Sequence, residues 1–158
     1  MSKPVLHQFL VGASPGDAIT DFSMLIRSWL RAMGYRSEIF AETVHPDLEK
    51  EVNSYLRYHP QRGGLVILHH SIGSDMVDDL LQHQSRVVLI YHNITPPGYF
   101  EDIDPRLTAQ VERGYRQLRS LCPATILGLG VSDYDVSDLR KMGFRKTGVL
   151  PLVFDERQ

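Results

Sequence analysis

The chain has 158 residues, of which 17 are Lys or Arg and 19 are Asp or Glu, so its formal net charge is −2 at pH 7. That length predicts one domain, and a hydrophobic fraction of 42% is typical of a folded globule rather than a disordered chain. The balanced charge lacks the basic excess of a nucleic-acid-binding protein. One cysteine, Cys122, excludes an intrachain disulfide and a multi-thiolate zinc site.

The first residues do not resemble a targeting segment. Only the short apolar run Val5-Leu6 precedes His7, and a secretory signal needs a longer apolar region followed by a cleavage site. No stretch approaches the roughly 18 uncharged apolar residues of a membrane span. We therefore expect a cytoplasmic protein without a membrane segment.

Short runs rich in β-branched and aromatic residues recur along the whole chain. Two of them, residues 65–69 and 86–91, are almost continuously apolar, which is typical of strands covered on both faces in a parallel sheet. The predicted strands are residues 5–11, 37–40, 65–69, 86–91, 125–129 and 148–150.

Segments with a helical period lie between these runs. The clearest spans residues 16–33, with Ser14 as the predicted cap and Gly34 as the stop. Its apolar stripe is predicted at Ala18, Phe22, Leu25, Trp29 and Met33. Further helices are predicted over 46–57, 74–82, from Asp104-Pro105 through Leu118, and over 132–142.

The alternation of strands and helices predicts an α/β fold. Right-handed crossovers then give a single domain over residues 1–158, built on a doubly wound, mostly parallel, Rossmann-like sheet with helices on both faces. In such sheets ligands bind at the carboxyl ends of the strands. The longest predicted loop, 93–104, follows one of those ends.

Three polar clusters fall at predicted strand ends. Residues 12–17 are small and precede a helix, which suits either a phosphate or sugar hydroxyl or a plain capped turn. In the second cluster, His69 and His70 are adjacent on a strand and should point to opposite faces, which makes them poor joint metal ligands. The third cluster places His92 and Asn93 where a buried strand meets the long loop, as site residues or as a pair that orders the loop.

Taken in order, the sequence motifs resemble those of one enzyme family. They are His7-Gln8, Gly16-Asp17-Ala18-Ile19, residues 37–41, residues 68–74, residues 91–96 and Val149-Leu150-Pro151. Together they cover roughly residues 5 to 155. This series resembles the amino-terminal half of the group 1 retaining glycosyltransferases of the GT-B fold.

The resemblance implies roles for individual residues in transfer from a nucleotide-sugar donor to a sugar or other hydroxyl acceptor. His92 is similar to the family histidine that contacts the donor sugar near the reacting carbon. The turn at Gly16 and Asp17 would face the donor phosphates or sugar. Asn93 and Tyr99 would line the acceptor side, and His69 and Ser71 the cleft floor.

Family members carry a second, donor-binding domain with a Glu-x7-Glu signature, and no glutamate in this sequence has another eight positions later. We therefore expect an acceptor-side domain whose donor-binding domain is absent from this chain, inactive alone, with no metal or cofactor. An uncovered apolar surface would favour a homodimer.

Two other functions are compatible with the sequence. One is a stand-alone α/β module that binds a ligand or partner without catalysis. The other is a metal-dependent hydrolase that uses His69, His70 and His92, which the lack of neighbouring carboxylates disfavours.

Overall fold

The computed structural model describes residues 2–94, 98 and 102–153. Within them, one sheet contains seven parallel strands, which are β1 (His7–Ala13), β2 (Ile39–Val44), β3 (Asn53–Ser54), β4 (Leu65–His70), β5 (Arg86–Tyr91), β6 (Thr125–Gly130) and β7 (Thr147–Val149). The helices are α1 (Ala18–Ala32), α2 (Asp75–Gln82), α3 (Pro105–Leu121) and α4 (Asp133–Lys141).

The strand order is β3-β2-β1-β4-β5-β6-β7, which confirms the predicted doubly wound fold. Helix α1 covers one face through Phe22, Ile26 and Leu30, whereas α2, α3 and α4 contribute to the core on the other face. The chain moves outward in opposite directions from β1 and β4, so the switch point of the topology lies between these two neighbours. No helix in the described part of the chain combines the length and the apolar character needed to cross a membrane.

Helix α1 differs from its prediction in its buried face. Phe22, Ile26 and Leu30 enter the core, but Trp29 is 41% exposed and Met33 65% exposed. Apolar residues occupy more than one side of this helix, so periodicity alone could not select the stripe that faces the sheet. Buried polar groups also lie on the inner side, where Arg27 donates to the Glu51 carboxylate at 2.7 Å.

The predicted helix over residues 46–57 is wrong. This segment forms two single 3₁₀ turns, Pro46–Leu48 and Tyr55–Arg57, separated by strand β3 at the sheet edge. The His45 ring accepts from the Asp47 N–H, and the Ser54 hydroxyl accepts from the Leu56 N–H. Local side-chain bonds of this kind compete with a continuous helix. Tyr55 and Tyr58 then pack on Phe9 of β1.

The turn from β4 into α2 lies very close to helix α3. A Cβ atom added to Gly73 would approach the Gln110 carbonyl oxygen and the Arg113 Cβ atom to 2.7 Å each. From the other side, a Cβ atom on Gly114 would come within 3.0 Å of the Gly73 nitrogen. Glycine at both positions therefore permits the contact that fixes α3 beside the end of β4.

Candidate functional site

The polar clusters predicted at strand ends lie together where the carboxyl ends of the parallel strands meet, which we call the carboxyl edge of the sheet. The turn after β1 contains Gly16 and Asp17, β4 ends at His69 and His70, and His92 directly follows β5. His92 continues the ladder by donating its backbone N–H to the His70 carbonyl at 3.0 Å. Because β1 and β4 are neighbours, this edge includes the switch point where doubly wound sheets bind ligands.

Between β1 and α1 the chain makes a tight turn and then a capped helix. The Asp17 N–H donates to the Ser14 carbonyl at 3.3 Å, with Pro15 second in the turn and Gly16 third at φ 76°. Proline followed by a glycine of positive φ is the pattern of a type II turn. The Asp17 carboxylate, not Ser14 as predicted, caps α1 by accepting from the Thr20 N–H and hydroxyl at 2.8 Å each.

A continuous line of buried hydrogen bonds runs from α1 to His92. The Gln8 amide nitrogen donates to the Ser23 carbonyl at 2.8 Å, and the Gln8 amide oxygen lies 2.8 Å from His69 Nε2. His69 Nδ1 then lies 3.1 Å from His92 Nε2, and the two rings are nearly coplanar, at an interplanar angle of 20° with their centroids 5.3 Å apart. Gln8, His69 and His92 are all buried.

The Ser23 carbonyl determines which atom donates and which accepts in every hydrogen bond of this line. The Ser23 carbonyl can only accept, so the Gln8 amide oxygen must face His69 and receive its Nε2–H. A neutral His69 then has an unprotonated Nδ1, and His92 must donate to it through Nε2–H. The remaining nitrogen of His92, Nδ1, is left with a lone pair, and no donor among the described residues reaches it.

Both histidines are neutral at pH 7. Burial, followed by the proximity of His92, holds the pKa of His69 well below its usual range. Burial likewise lowers the pKa of His92 to about 4, although the nearby Asp17 carboxylate opposes that shift. His92 is therefore a neutral hydrogen-bond acceptor near the β1–α1 turn, and it suits the recognition of a group that donates a hydrogen bond.

His70 and Ser74 of the second cluster have structural roles. His70 lies on the opposite side of β4 from His69 and bonds through Nε2 to the Gly114 carbonyl of α3 at 2.8 Å. Ser74 caps α2 and donates its hydroxyl to Glu42 at 2.7 Å. Ser71 is half-buried immediately after β4, on the carboxyl edge. The structure thus separates His70 from the line that contains His69 and His92.

Asn93 is exposed beside His92, with the buried Ile94 after it. The Tyr115 hydroxyl of α3 donates to the Ile94 carbonyl at 2.7 Å, which holds the start of the predicted loop against that helix. Tyr99 lies outside the described residues, as does most of the remaining loop up to residue 101.

Gln8 is the site residue to which sequence reasoning assigned no function. Gln8 places an amide in the middle of an apolar strand, and such a group is costly to bury without hydrogen-bond partners. That pattern could have indicated a buried polar contact. Nothing in the sequence, however, indicated that its partner would be His69, 61 positions away.

In the described residues, no group of three or more His, Cys, Asp or Glu side chains is placed to hold a metal ion. Comparison of the sequence with protein-family models gave no match, and comparison with curated proteins gave none either.

Proposed function

We propose that the carboxyl edge is the acceptor-side half of a retaining glycosyltransferase cleft, where a sugar passes from a nucleotide-sugar donor to a hydroxyl acceptor. The observation that carries the proposal is a neutral His92, with its tautomer fixed by His69, near the β1–α1 turn at the switch point. The order of the family-like motifs along the chain supports the same function.

The protonation state of His92 suits sugar recognition. Its Nδ1 lone pair would accept a hydrogen bond from a sugar hydroxyl, and the neutral ring places no buried charge next to the reacting carbon. The transition state of glycosyl transfer resembles an oxocarbenium ion, so a cationic imidazole at that place would oppose it. In this proposal His92 orients the sugar and does not act as a nucleophile.

The position of Asp17 favours a sugar over a phosphate as the ligand of its turn. Its carboxylate already occupies the positive end of α1, where a phosphate would otherwise bind. A second negative charge at that place is unfavourable, whereas a sugar hydroxyl could donate to the free carboxylate oxygen. We therefore assign the turn at Gly16 and Asp17 to the sugar, with Asn93 on the acceptor side and Ser71 on the cleft floor.

The donor diphosphate is then bound mainly by a facing lobe that these 158 residues do not supply. A half-cleft exposes the reacting centre to water, which weakens every electrostatic contact that catalysis needs. On this proposal the chain by itself binds sugar ligands weakly and transfers none.

Calorimetry with nucleotide sugars and with free oligosaccharides tests the proposal, together with an assay of sugar transfer. His92→Ala should abolish the heat of binding, whereas His59→Ala, which changes an exposed ring at the opposite, amino-terminal edge of the sheet, should preserve it. Sugar transfer by the isolated chain would overturn its assignment as an incomplete half. Tight binding of a nucleotide alone, unaffected by His92→Ala, would instead favour a stand-alone binding module.

A further inference from the structure

A cavity of about 340 Å³ lies at the opposite, amino-terminal edge of the sheet, beside the first residues of β1 and β4. We call it the amino-edge cleft. The proposed glycosyl site contributes no residue to it. Its lining includes His7, Arg36, Phe40, Arg57, Tyr58 and Leu65.

Aromatic rings form much of its apolar lining. The Phe40 ring lies 5.3 Å from the His7 ring and 5.2 Å from the Tyr58 ring, measured between centroids. Leu65 adds an aliphatic surface. Packed rings of this kind offer a planar ligand both edges and faces to contact.

Two neutral donors belong to the same lining. His7 Nδ1 accepts from the Glu38 N–H at 2.9 Å, so the ring proton of a neutral His7 is on Nε2. Burial raises the pKa of the Tyr58 hydroxyl, which therefore keeps its proton at neutral pH. Both groups can donate a hydrogen bond to a ligand oxygen.

Two arginine side chains give the cleft positive charge. Arg36 and Arg57 line it, no Asp or Glu does, and within the described ranges neither guanidinium has a carboxylate within 4.0 Å. The neighbouring acid, Glu38, is paired with Arg31 at 3.3 Å. As far as the described residues go, both guanidiniums are therefore available to an anion, in a chain whose net charge is −2.

We propose that the amino-edge cleft binds a small anion with a planar ring, whose phosphate or carboxylate contacts Arg36 and Arg57 and whose ring packs on Phe40 and Tyr58. The guanidinium group matches both anions because its planar fork can donate two parallel hydrogen bonds. A volume of about 340 Å³ is near the lower limit of ligand pockets. It suits one ring and one anionic group rather than a nucleotide sugar.

NMR titrations that monitor the backbone amide signals test this proposal. The four probes are phenyl phosphate, benzoate, inorganic phosphate and benzyl alcohol. Phenyl phosphate or benzoate should give saturable shifts around His7 and Tyr58, and whichever binds tighter identifies the anionic group. Inorganic phosphate and benzyl alcohol, each lacking half of the ligand, should bind about tenfold more weakly.

Arg36→Gln and Arg57→Gln should each weaken binding of the ring-bearing anion by about tenfold, because each removes a charge-assisted contact. Arg116→Gln, which removes an exposed charge from α3, should leave the affinity unchanged. The same spectra show whether each variant is folded. The proposal would be overturned if no probe gave saturable shifts at the cleft, or if Arg116→Gln weakened binding as much as the two cleft variants. It would also be overturned if inorganic phosphate bound as tightly as phenyl phosphate, which would indicate an adventitious ion only.

Discussion

At the scale of single residues, the bonds through Gln8, His69 and His92 determine which ring nitrogens carry protons. Because the Ser23 carbonyl anchors the line, both rings should be protonated at Nε2 at pH 7. Long-range nitrogen–proton NMR spectra of the histidine rings measure this directly. An Nδ1–H signal from either ring would contradict the assigned direction.

Gln8→Leu removes the group that orients His69. We expect a loss of roughly 1–3 kcal/mol in the free energy of unfolding, since a buried ring N–H loses its acceptor. We also expect mixed tautomers of His69 and His92 in the NMR spectra. A destabilised variant whose rings keep a single Nε2–H tautomer would show that Gln8 packs in the core without controlling His92.

The buried histidines also make stability depend on pH. Because the pKa of His92 is about 4 in the folded chain and about 6.5 when unfolded, the unfolded state binds more protons between these values. Stability should therefore be complete above about pH 6.5 and fall as the pH decreases toward 4. His92→Asn should lessen this slope by up to about 1.4 kcal/mol per pH unit.

Urea denaturation at pH 7, 6 and 5 provides the measurement, and the slope with pH is compared rather than the absolute stability. His45→Asn serves as the matched control because its ring is exposed and lies outside the buried line. Equal slopes for the wild type and His92→Asn would contradict the buried, neutral state of His92.

At the scale of elements, the contact between the β4–α2 turn and α3 depends on Gly73. The added methyl group of Gly73→Ala would meet the Gln110 carbonyl at 2.7 Å, and neither neighbour can rotate away because both contacts involve helix backbone or Cβ atoms. We expect destabilisation of roughly 2 kcal/mol or more. Gly12→Ala, which has no atom within 4 Å of the new methyl group, should change stability little. Thermal denaturation of both variants checks this, and equal melting temperatures would contradict the close packing.

The sequence predicted most elements because their signals were local. Continuous apolar runs marked β4 and β5, and glycine stops marked the ends of α1 and α4, where Gly34 and Gly143 have φ of 95° and 97°. The segment 46–57 failed because edge pairing by Asn53 and Ser54 outweighed a weak helical pattern.

The candidate site was predictable only in part for a related reason. Parallel strands bring their carboxyl ends together, so the closeness of Asp17, His69 and His92 followed from the fold class. The bond from His69 to Gln8 depends on which side chains face each other across β1 and β4, and no local pattern contains that information. The separate role of His70 did follow from the alternation of side chains along a strand.

At the scale of the whole molecule, one sheet carries two polar regions at its opposite edges. The carboxyl edge offers a neutral acceptor and a capping carboxylate, whereas the amino-edge cleft offers the guanidiniums of Arg36 and Arg57. A sugar and a small anion should therefore bind at different places on the molecule.

Mapping amide and histidine-ring signals during titration with nucleotide sugars and free sugars tests most directly whether the carboxyl edge binds sugars through a neutral His92. We predict shifts at Gly16, Asp17, His69, His92 and Asn93, with a change at His92 Nδ1 while Nε2 remains protonated. Shifts confined to the amino-edge cleft, or none at the carboxyl edge with any sugar, would contradict the account.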